Sequence, residues 1–490
     1  MAAARGARYG MDMLIRVHPD DNVATTTVAL DDGAIPAGHK LALSALRTGD
    51  AVIKYGAPIG LLTADVAQGD WIHAHNLRTA LGSEEDYGAP PETSVVSAQP
   101  STTTFMGYRR ADGRVGTRNE LWVLNSVGCV NRAAERIARD AAQRHAGRID
   151  GVHAFSHPYG CSQLGDDLDR TRAVIAGLAR HPNAGGVLIV GLGCENNRLA
   201  RLVESLSEAE RARVRWFNAQ EVEDEVEAGA RAVDELVASM AGDVRTPCPL
   251  SDLAIGVKCG GSDGLSGLTA NPLVGRIADR IAGEGGTVIQ TEVPEMFGAE
   301  RVLLGRAASP EIFDRAVGMI DRFKAYFRDH GQPIHENPSP GNKDGGLTTL
   351  EEKSLGAVQK GGTAIVTDVL DYGSRATRPG LALLEAPGND AVSSTALVVS
   401  GATIVLFTTG RGTPLGFPVP TVKIASNSAL ATRKPNWIDF DAGPAAEGGD
   451  LDALADALLA RIVGIASGDR VRNEINDVRE IAIWKGGVTL

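Results

Sequence analysis

The sequence predicts a two-part fold, in which a small all-β domain precedes a larger α/β body built on parallel sheet. Three observations predict it. Short β-rich runs separated by turn residues fill roughly the first ninety positions, a stretch rich in Pro, Ser and Thr follows, and from Phe105 apolar runs alternate with amphipathic stretches. That alternation is typical of parallel strands joined by helices. A chain of 490 residues is long enough for two to four domains, each with its own core.

The all-β domain is predicted over residues 11–88. Its runs MLIRVHP, NVATTTVAL, AVIKYGAPIG and WIHAHNL are separated by turn segments such as Asp31-Asp32-Gly33. Residues 89–104 (APPETSVVSAQPSTTT) carry little that could be buried, which is the composition of a solvated linker.

The α/β body is predicted as a middle domain at 105–248 and a C-terminal domain at 249–490, divided near the segment DVRTPCPLS. Predicted helices cover 131–145, 168–180 and 209–240. The predicted strands are ELWVLNSVG, GVHAFSHPYG, GGVLIVGLG, LAIGVKCGG, GTVIQTEVP, GTAIVTDVL, ALLEAPGND and ATIVLFTTG.

Charge and cysteine content exclude several classes of protein. The chain has 49 Lys and Arg against 61 Asp and Glu, a net charge of −12, and its charges form no long run of one sign. This argues against a protein that binds nucleic acid or a membrane surface, because both need basic patches to meet phosphates. No apolar stretch reaches the ~20 residues needed to span a bilayer, and the first ten residues lack the apolar segment of a signal peptide. Five cysteines are too few and odd in number for a disulfide framework, which predicts the reducing cytoplasm.

Four of the five cysteines follow predicted strands, each beside a glycine: Cys129, Cys161, Cys194 and Cys259. Ligands of open parallel sheets bind at the carboxyl ends of the strands. A lone cysteine is usually a small buried apolar residue, but four at equivalent positions favour a shared polar site. Thiolates suit iron, zinc and iron–sulfur chemistry. Because the spacing is not C-x-x-C, the sequence leaves open whether they bind metal or only line a wall.

Other strand ends carry acids and amides. Asp263, Glu292 and Glu295 could hold a hard cation or act as general bases, although a helix N-cap is the commoner role of a single acid in such a place. In the all-β domain, His73 and His75 are two residues apart. On a strand they would share a face and could meet one ligand or metal, against the alternative of two unrelated exposed histidines.

Motifs for nucleotides and for serine hydrolysis are weak or absent. The segment GLGCEN at 191–196 begins like a dinucleotide fingerprint but has Asn196 where the third glycine belongs, and neither a P-loop nor a G-x-S-x-G motif occurs. A NAD-dependent oxidoreductase remains the alternative from another class, followed by a non-catalytic carbohydrate-binding protein.

Longer blocks resemble the altronate/galactarate dehydratase family over nearly the whole chain from Met13. They include SHPYGCSQLGDD, NAGGVLIVGLGCENN, KCGGSDGLSGLTANP and ENPSPGNKDGGLTTLEEKSLG. VIKYGAPIG and HAHN resemble the SAF-type β-clip domain that precedes the Rossmann-like body in this family. The resemblance implies a homodimeric hydro-lyase that removes water from a sugar acid, D-altronate giving 2-dehydro-3-deoxy-D-gluconate. Galactarate dehydration and a sulfolactate-type elimination are alternatives within the family.

The resemblance also implies a requirement for iron or manganese, so Fe²⁺ is the expected cofactor, with Mn²⁺ as the alternative and an iron–sulfur cluster left open. The expected metal ligands are Cys161, Cys194, Cys259, His73 and His75, which Cys129 could join. The expected base and acid come from Asp263, Glu292 and Glu295. The residues expected to hold substrate are Asn196, Ser262, Asn389, Asp390 and Arg411, the last because a guanidinium can bind a carboxylate through two hydrogen bonds.

Overall fold

The structure is a computed structural model that describes residues 13–82, 87–92 and 103–487. It confirms the predicted fold class, an all-β domain followed by an α/β body on parallel sheets. Most of the predicted linker at 89–104 lies outside the described residues, as do the first residues of the predicted all-β domain.

The N-terminal domain contains two small antiparallel sheets. Its strands are β1 (Leu14–Ile15), β2 (Val23–Thr26), β3 (Lys40–Ala42), β4 (Ala51–Lys54), β5 (Ala57–Leu62), β6 (Trp71–Ile72) and β7 (Leu77–Arg78). One sheet has the order β1-β2-β3-β6 and the other β4-β5-β7. The apolar face of this domain packs on the C-terminal domain, since Ile59 and Leu62 lie in one buried cluster with Phe297 and Leu350.

The middle domain is a four-stranded parallel sheet with the order β11-β10-β12-β13. Its elements, after β8 (Thr104–Arg109) and β9 (Val115–Gly116), are β10 (Glu120–Asn125), α1 (Asn131–Arg144), β11 (Gly151–Phe155), α2 (Gly165–Ala179), β12 (Ala184–Gly191), α3 (Leu199–Glu204), α4 (Glu208–Arg211), β13 (Val214–Asn218) and α5 (Glu225–Ser239). Helices were predicted correctly at α1 and α2. The single helix predicted over 209–240 is wrong, because the alternating run Val214–Asn218 adds an edge strand beside β12.

The C-terminal domain is a seven-stranded parallel sheet with the order β17-β18-β16-β15-β19-β20-β21. Strand β14 (Thr246–Pro249) leads into it by pairing antiparallel with β8. The remaining elements are β15 (Ala254–Cys259), α6 (Ala270–Gly283), β16 (Thr287–Gln290), α7 (Glu300–Leu304), α8 (Pro310–Asp329), α9 (Pro340–Asp344), α10 (Leu350–Ala357), β17 (Val366–Leu370), β18 (Gly380–Leu384), α11 (Asp390–Val399), β19 (Ile404–Thr409), β20 (Thr421–Ala425), α12 (Ser428–Arg433), β21 (Phe440–Asp441), α13 (Leu451–Ala466) and α14 (Arg472–Ile475).

All eight runs predicted as strands of the body form strands. Central strands such as β15 and β19 are covered on both faces, as parallel strands require, so their side chains are apolar almost throughout. Within the described residues, no helix combines the length and apolar character needed to cross a membrane.

Candidate active site

The carboxyl ends of β15 and β16 bring the main polar cluster together. The two strands are parallel neighbours, with Val257 opposite Gln290. Strand β15 therefore delivers Lys258 and Cys259 to the same edge at which the turn after β16 delivers Glu292 and Glu295. All four side chains are buried.

Cys259 lies between the two glutamates. Its Sγ is 3.0 Å from Oε2 of Glu295 and 3.7 Å from Oε2 of Glu292, and its backbone N–H donates to Glu292 at 3.0 Å. Glu292 has a left-handed backbone, with φ of 71°. A glutamate rarely adopts this conformation, so the surrounding contacts hold a strained residue in place.

Three buried lysines surround these acids. Lys258 Nζ is 2.9 Å from Glu292 Oε1 and 2.7 Å from Asp390 Oδ1. Lys353 Nζ is 2.8 Å from Glu295 Oε1, and Lys360 Nζ is 3.0 Å from the sulfur of Cys259. The acidic neighbours outweigh the effect of burial and raise the pKa of each lysine, so all three are ammonium groups at neutral pH.

The acids differ in protonation. Burial, reinforced by the two glutamates, raises the pKa of Cys259 to about 12, so its thiol keeps a proton at neutral pH. Burial also raises the pKa of Glu292, and Lys258 opposes it only in part. For Glu295, burial is outweighed by Lys353 and Lys360, which hold its pKa at about 2. The site therefore combines a protonated thiol with an ionised carboxylate in direct contact.

Distance alone would let Cys259, Glu292 and Glu295 hold a metal ion, because their donor atoms lie within 4.8 Å of one another. The charges argue against it. The two carboxylates are already paired with lysines, and the ammonium of Lys360, 3.0 Å from the sulfur of Cys259, would repel a cation there. Metal binding by Cys259 stays a prediction, and the neighbouring charges do not favour it. Acid–base chemistry fits the cluster better.

The cluster opens into a cavity of about 350 Å³. Cys259, Glu295, Lys353 and Asp390 line it, together with Gly260, Gly261, Pro294, Phe327, Ile334, Asn337, Ser339, Asn342 and Gly388. Such a volume and a mixed lining of amides, a hydroxyl and charges suit a small polar ligand. We take this cavity as the candidate active site.

In the described part of the chain, Asp390 is the only residue predicted to hold substrate that lines this cavity. Ser262 lies next to it, and its carbonyl accepts a hydrogen bond of 2.9 Å from Asn342. Asn389 instead caps α11, accepting from the N–H groups of Ala391 and Val392 at 3.1 Å. Asn389 therefore has the N-cap role that is common for short polar side chains.

Asp263 and Arg411 line a second cavity of about 460 Å³ between the N-terminal and C-terminal domains. The carboxylate of Asp263 accepts hydrogen bonds from Ser266 at 2.7 Å, Ser426 at 2.8 Å and Asn427 at 3.0 Å. The bonds from Ser426 and Asn427 tie the loop after β20 to the loop after β15, which carries Asp263. Asp263, which was predicted as a candidate acid or base, therefore has a structural role.

His73 and His75 do not share a strand face, so the prediction of their geometry is wrong. Strand β6 ends at Ile72, and Asn76 closes a turn by accepting from the N–H of His73 at 2.9 Å. The two rings still lie near each other, with centroids 6.5 Å apart, and His73 Nε2 donates to the carbonyl of Lys343 at 2.9 Å. Burial lowers the pKa of His73, which keeps its ring neutral.

The remaining predicted metal ligands, Cys161 and Cys194, lie on the sheet of the middle domain with Cys129, whereas Cys259 lies on the sheet of the C-terminal domain. All three cysteines of the middle domain are exposed. Asn196 accepts a hydrogen bond of 2.9 Å from the N–H of Ser162 and so joins the loops that carry Cys161 and Cys194.

The sequence reasoning missed the three lysines and His39. Lys258 could have been found, because it precedes Cys259 at the end of a predicted strand. Lys353 and Lys360 lie in and after α10, about a hundred residues away in sequence, where no local pattern marks them. His39 stacks on His73 with centroids 4.9 Å apart and only the folded chain brings the two together.

Comparisons with known proteins agree with this architecture. Residues 12–80 match the family model described as the altronate/galactarate dehydratase SAF domain. Residues 107–241 match D-galactarate dehydratase/altronate hydrolase, second domain, and residues 250–489 match D-galactarate/altronate dehydratase, C-terminal.

Curated relatives extend over almost the full chain. An altronate dehydratase of Escherichia coli (strain K12) is 49% identical over 97% of this chain and 99% of its own, and one of Bacillus subtilis (strain 168) is 47% identical over 98% and 100%. A galactarate dehydratase (L-threo-forming) of Escherichia coli (strain K12) is 34% identical over 93% of both. The chain therefore belongs to the D-galactarate/altronate dehydratase family.

Proposed function

We propose that this enzyme dehydrates D-altronate to 2-dehydro-3-deoxy-D-gluconate. The observation that carries the proposal is the contact of 3.0 Å between the protonated thiol of Cys259 and the carboxylate of Glu295 at the wall of a polar cavity. The substrate follows from the two altronate dehydratases, which are 49% and 47% identical to this chain, against 34% for the galactarate dehydratase.

The reaction needs three things from the protein. A base must take the proton from C2, which is only weakly acidic beside a carboxylate, and an acid must protonate the hydroxyl that leaves C3. Positive charge must also stabilise the enediolate that forms when the C2 proton is removed. The resulting enol then tautomerises to the 2-keto-3-deoxy acid.

We assign these roles to three residues that line the cavity. Glu295, ionised at neutral pH, accepts the C2 proton. Cys259, which keeps its proton, delivers it to the departing C3 oxygen, so that water leaves. The ammonium of Lys353, 2.8 Å from Glu295, stabilises the negative charge on the substrate. Lys258, Lys360 and Glu292 lie behind them and set their charges.

The short contact between Cys259 and Glu295 also closes the catalytic cycle. After water leaves, Glu295 holds the proton from C2 and Cys259 is a thiolate. A proton transfer along the 3.0 Å contact returns both groups to their starting states without help from solvent. The net change is loss of one hydrogen from C2 and one hydroxyl from C3, which balances as one water.

We further propose that the enzyme requires iron, with manganese as the alternative, as the family resemblance implies. When bound, such a metal would act as a Lewis acid toward a substrate oxygen. Because the lysines disfavour a cation beside Cys259, the exposed cysteines of the middle domain are the better ligands.

A substrate panel tests the function. The full-length protein, purified without oxygen and supplied with Fe²⁺, is assayed for keto-deoxy product on D-altronate, galactarate, sulfolactate and other aldonates. We expect the highest kcat/KM on D-altronate, with no change in nicotinamide absorbance. Absence of product from D-altronate with turnover of galactarate would move the assignment within the family, and turnover that consumes NAD would refute a dehydratase.

We also propose that the enzyme is a homodimer in the cytoplasm, as the resemblance implies. All five cysteines are unpaired, which suits a reducing compartment. Light scattering of the purified protein tests the oligomeric state, with twice the mass of the 51.2 kDa chain expected.

A further inference from the structure

Three exposed cysteines follow three adjacent strands of the middle domain. Cys129 comes after β10, Cys161 after β11 and Cys194 after β12, and β10 pairs in parallel with both of the other strands. We call Cys129, Cys161 and Cys194 the thiol triad. Because the carboxyl ends of adjacent parallel strands meet at one edge, the topology brings the three loops of the triad together.

Hydrogen bonds join these loops at residues one to three positions from each cysteine. The N–H of Gly128 donates to the carbonyl of Tyr159 at 2.8 Å, which connects the loops of Cys129 and Cys161. The N–H of Asn197 donates to the carbonyl of Gly160 at 2.9 Å, which connects those of Cys161 and Cys194. The side chain of Asn197 completes the set by donating to the carbonyl of Ser126 at 3.0 Å.

Glycine is required at two of these junctions. A Cβ on Gly160, whose φ is +102°, would lie 2.1 Å from the carbonyl oxygen of Ser126. A Cβ on Gly128 would lie 2.9 Å from the carbonyl oxygen of His157. The backbones therefore approach as closely as they do only because these residues lack side chains, and the loops hold the triad on a close-packed base.

The sulfurs of the triad are not close enough for one ion to bind all three. In the described part of the chain, the three donor atoms that lie within 4.8 Å of one another are those of Cys259, Glu292 and Glu295, so at least two sulfurs of the triad are more than 4.8 Å apart. One tetrahedral ion with metal–sulfur bonds of ~2.3 Å would hold its thiolates roughly 4 Å apart. In a four-iron cluster each thiolate binds a different iron, which allows wider spacing.

Groups that can donate hydrogen bonds to the sulfurs also support binding of a cluster. Gln220 Nε2 lies 3.6 Å from the Sγ of Cys194, and the hydroxyl of Ser162 lies 3.9 Å from the Sγ of Cys161. Hydrogen bonds to sulfur stabilise the negative charge of ligated thiolates and tune iron–sulfur clusters. The other two cysteines of the chain, Cys248 and Cys259, are buried elsewhere.

We propose that the thiol triad binds a [4Fe–4S] cluster through Cys129, Cys161 and Cys194, leaving one iron without a cysteine ligand. Binding converts the three thiols to thiolates with release of their protons. A position without a protein ligand is what a metal site needs in order to meet a substrate oxygen. That last role rests on the proposed dehydratase function, whereas binding of the cluster does not.

The test measures iron and acid-labile sulfide in the full-length protein, purified and reconstituted without oxygen. We expect about four of each per chain, with a broad visible absorption that reductant bleaches. Cys129→Ser, Cys161→Ser and Cys194→Ser should each lose most of the bound iron, the sulfide and the visible absorption.

Cys248→Ser and Cys259→Ser are the controls. Both should keep the iron, the sulfide and the absorption, and Cys259→Ser should have a lower kcat, which separates the cluster from the acid–base site. Bound zinc, iron without sulfide, a disulfide within the triad, or triad variants with unchanged iron would each overturn the proposal. A cluster present in a protein that dehydrates no sugar acid would support this inference and refute the proposed function instead.

Discussion

At and behind the wall of the cavity, three ammonium groups meet the side chains of three acids and a thiol, and their pairing determines which groups carry protons. Lys353 and Lys360 keep Glu295 ionised, while burial beside two glutamates keeps the thiol of Cys259 protonated. At neutral pH a free thiol is also mostly protonated and a free carboxyl ionised, so the neighbours do not reverse these states but move the two pKa values further apart. They therefore hold the proton of the pair on the sulfur rather than on Glu295.

At the residue scale, Glu295→Gln should lower kcat for D-altronate by at least ~100-fold, because the amide cannot accept the C2 proton. KM should change much less, since the amide keeps the size and polarity of the side chain. Steady-state assays of keto-deoxy product measure both. Glu311→Gln, on the exposed start of α8, is the matched control and should keep wild-type kinetics. A Glu295→Gln variant with more than a tenth of wild-type kcat would rule out Glu295 as the base.

Cys259→Ser and Cys259→Ala separate proton delivery from packing. A hydroxyl can still donate a proton, though from a weaker acid, so the serine variant should retain more kcat than the alanine variant. Both should fold, because each removes volume without adding charge to a buried site. Equal loss in both variants, with unchanged thermal unfolding, would show that the proton comes from another group.

At the scale of elements, two strands of the N-terminal domain are fastened to one helix of the C-terminal domain. Lys40 of β3 and Lys54 of β4 bind opposite oxygens of Glu352 in α10, at 2.8 and 2.9 Å, and all three side chains are buried. The next residue of α10 is Lys353, which lines the cavity. The N-terminal domain thus positions a residue of the candidate active site through this helix.

Glu352→Gln should strongly destabilise the protein, because it leaves two buried ammonium groups without a carboxylate. Loss of one partner of a buried ion pair typically costs about 3–5 kcal/mol. Thermal unfolding should show a lower Tm, and limited proteolysis should cut faster between the N-terminal domain and the body. Glu311→Gln again serves as control. A Tm within one degree of wild type would mean that apolar contacts alone hold the domain.

At the scale of the whole molecule, the three domains share their cores. The N-terminal domain contributes to the largest buried cluster of the C-terminal domain, and Leu178 of the middle domain packs in one cluster with Val398 and Val399. His181 lies at this second contact, where its Nε2 donates to the carbonyl of Ala402 at 3.1 Å. The described domains are therefore expected to unfold together.

Acid should destabilise the molecule through its buried histidines before it reaches the carboxylates. Burial lowers the pKa of His39 to about 4 and that of His181 to about 3, from 6.5 in the unfolded chain. Their stabilising effect is complete above pH 6.5 and is lost as the pH falls, because the unfolded chain then binds protons that the folded one does not. Glu295, with a pKa of about 2 against 4.5, adds its loss below pH 4.5.

The measurement is Tm between pH 7 and pH 5, which should fall by an amount that corresponds to as much as about 1.4 kcal/mol per pH unit for each histidine. His181→Gln keeps a donor for Ala402 but cannot titrate, so its Tm should vary less with pH. A Tm that stays constant over this range in the wild type would contradict the assignment.

The sequence by itself determined the α/β class, the order of eight strands and the positions of four cysteines at strand ends, because apolar periodicity and glycine placement are local properties. It also carried the blocks from which the family resemblance was correctly drawn. It could not determine that the run at 214–218 is a strand, because only the neighbouring β12 completes its hydrogen bonds.

Only the tertiary structure separated Cys259 from the thiol triad and surrounded it with Lys258, Lys353 and Lys360. The physical reason is that protonation depends on charges within a few ångströms, and those charges come from β15, from α10 and from the turn after it, segments up to about a hundred residues apart. Residue type and spacing name a possible ligand or acid. The neighbours that the fold brings close decide whether the side chain is a ligand or an acid.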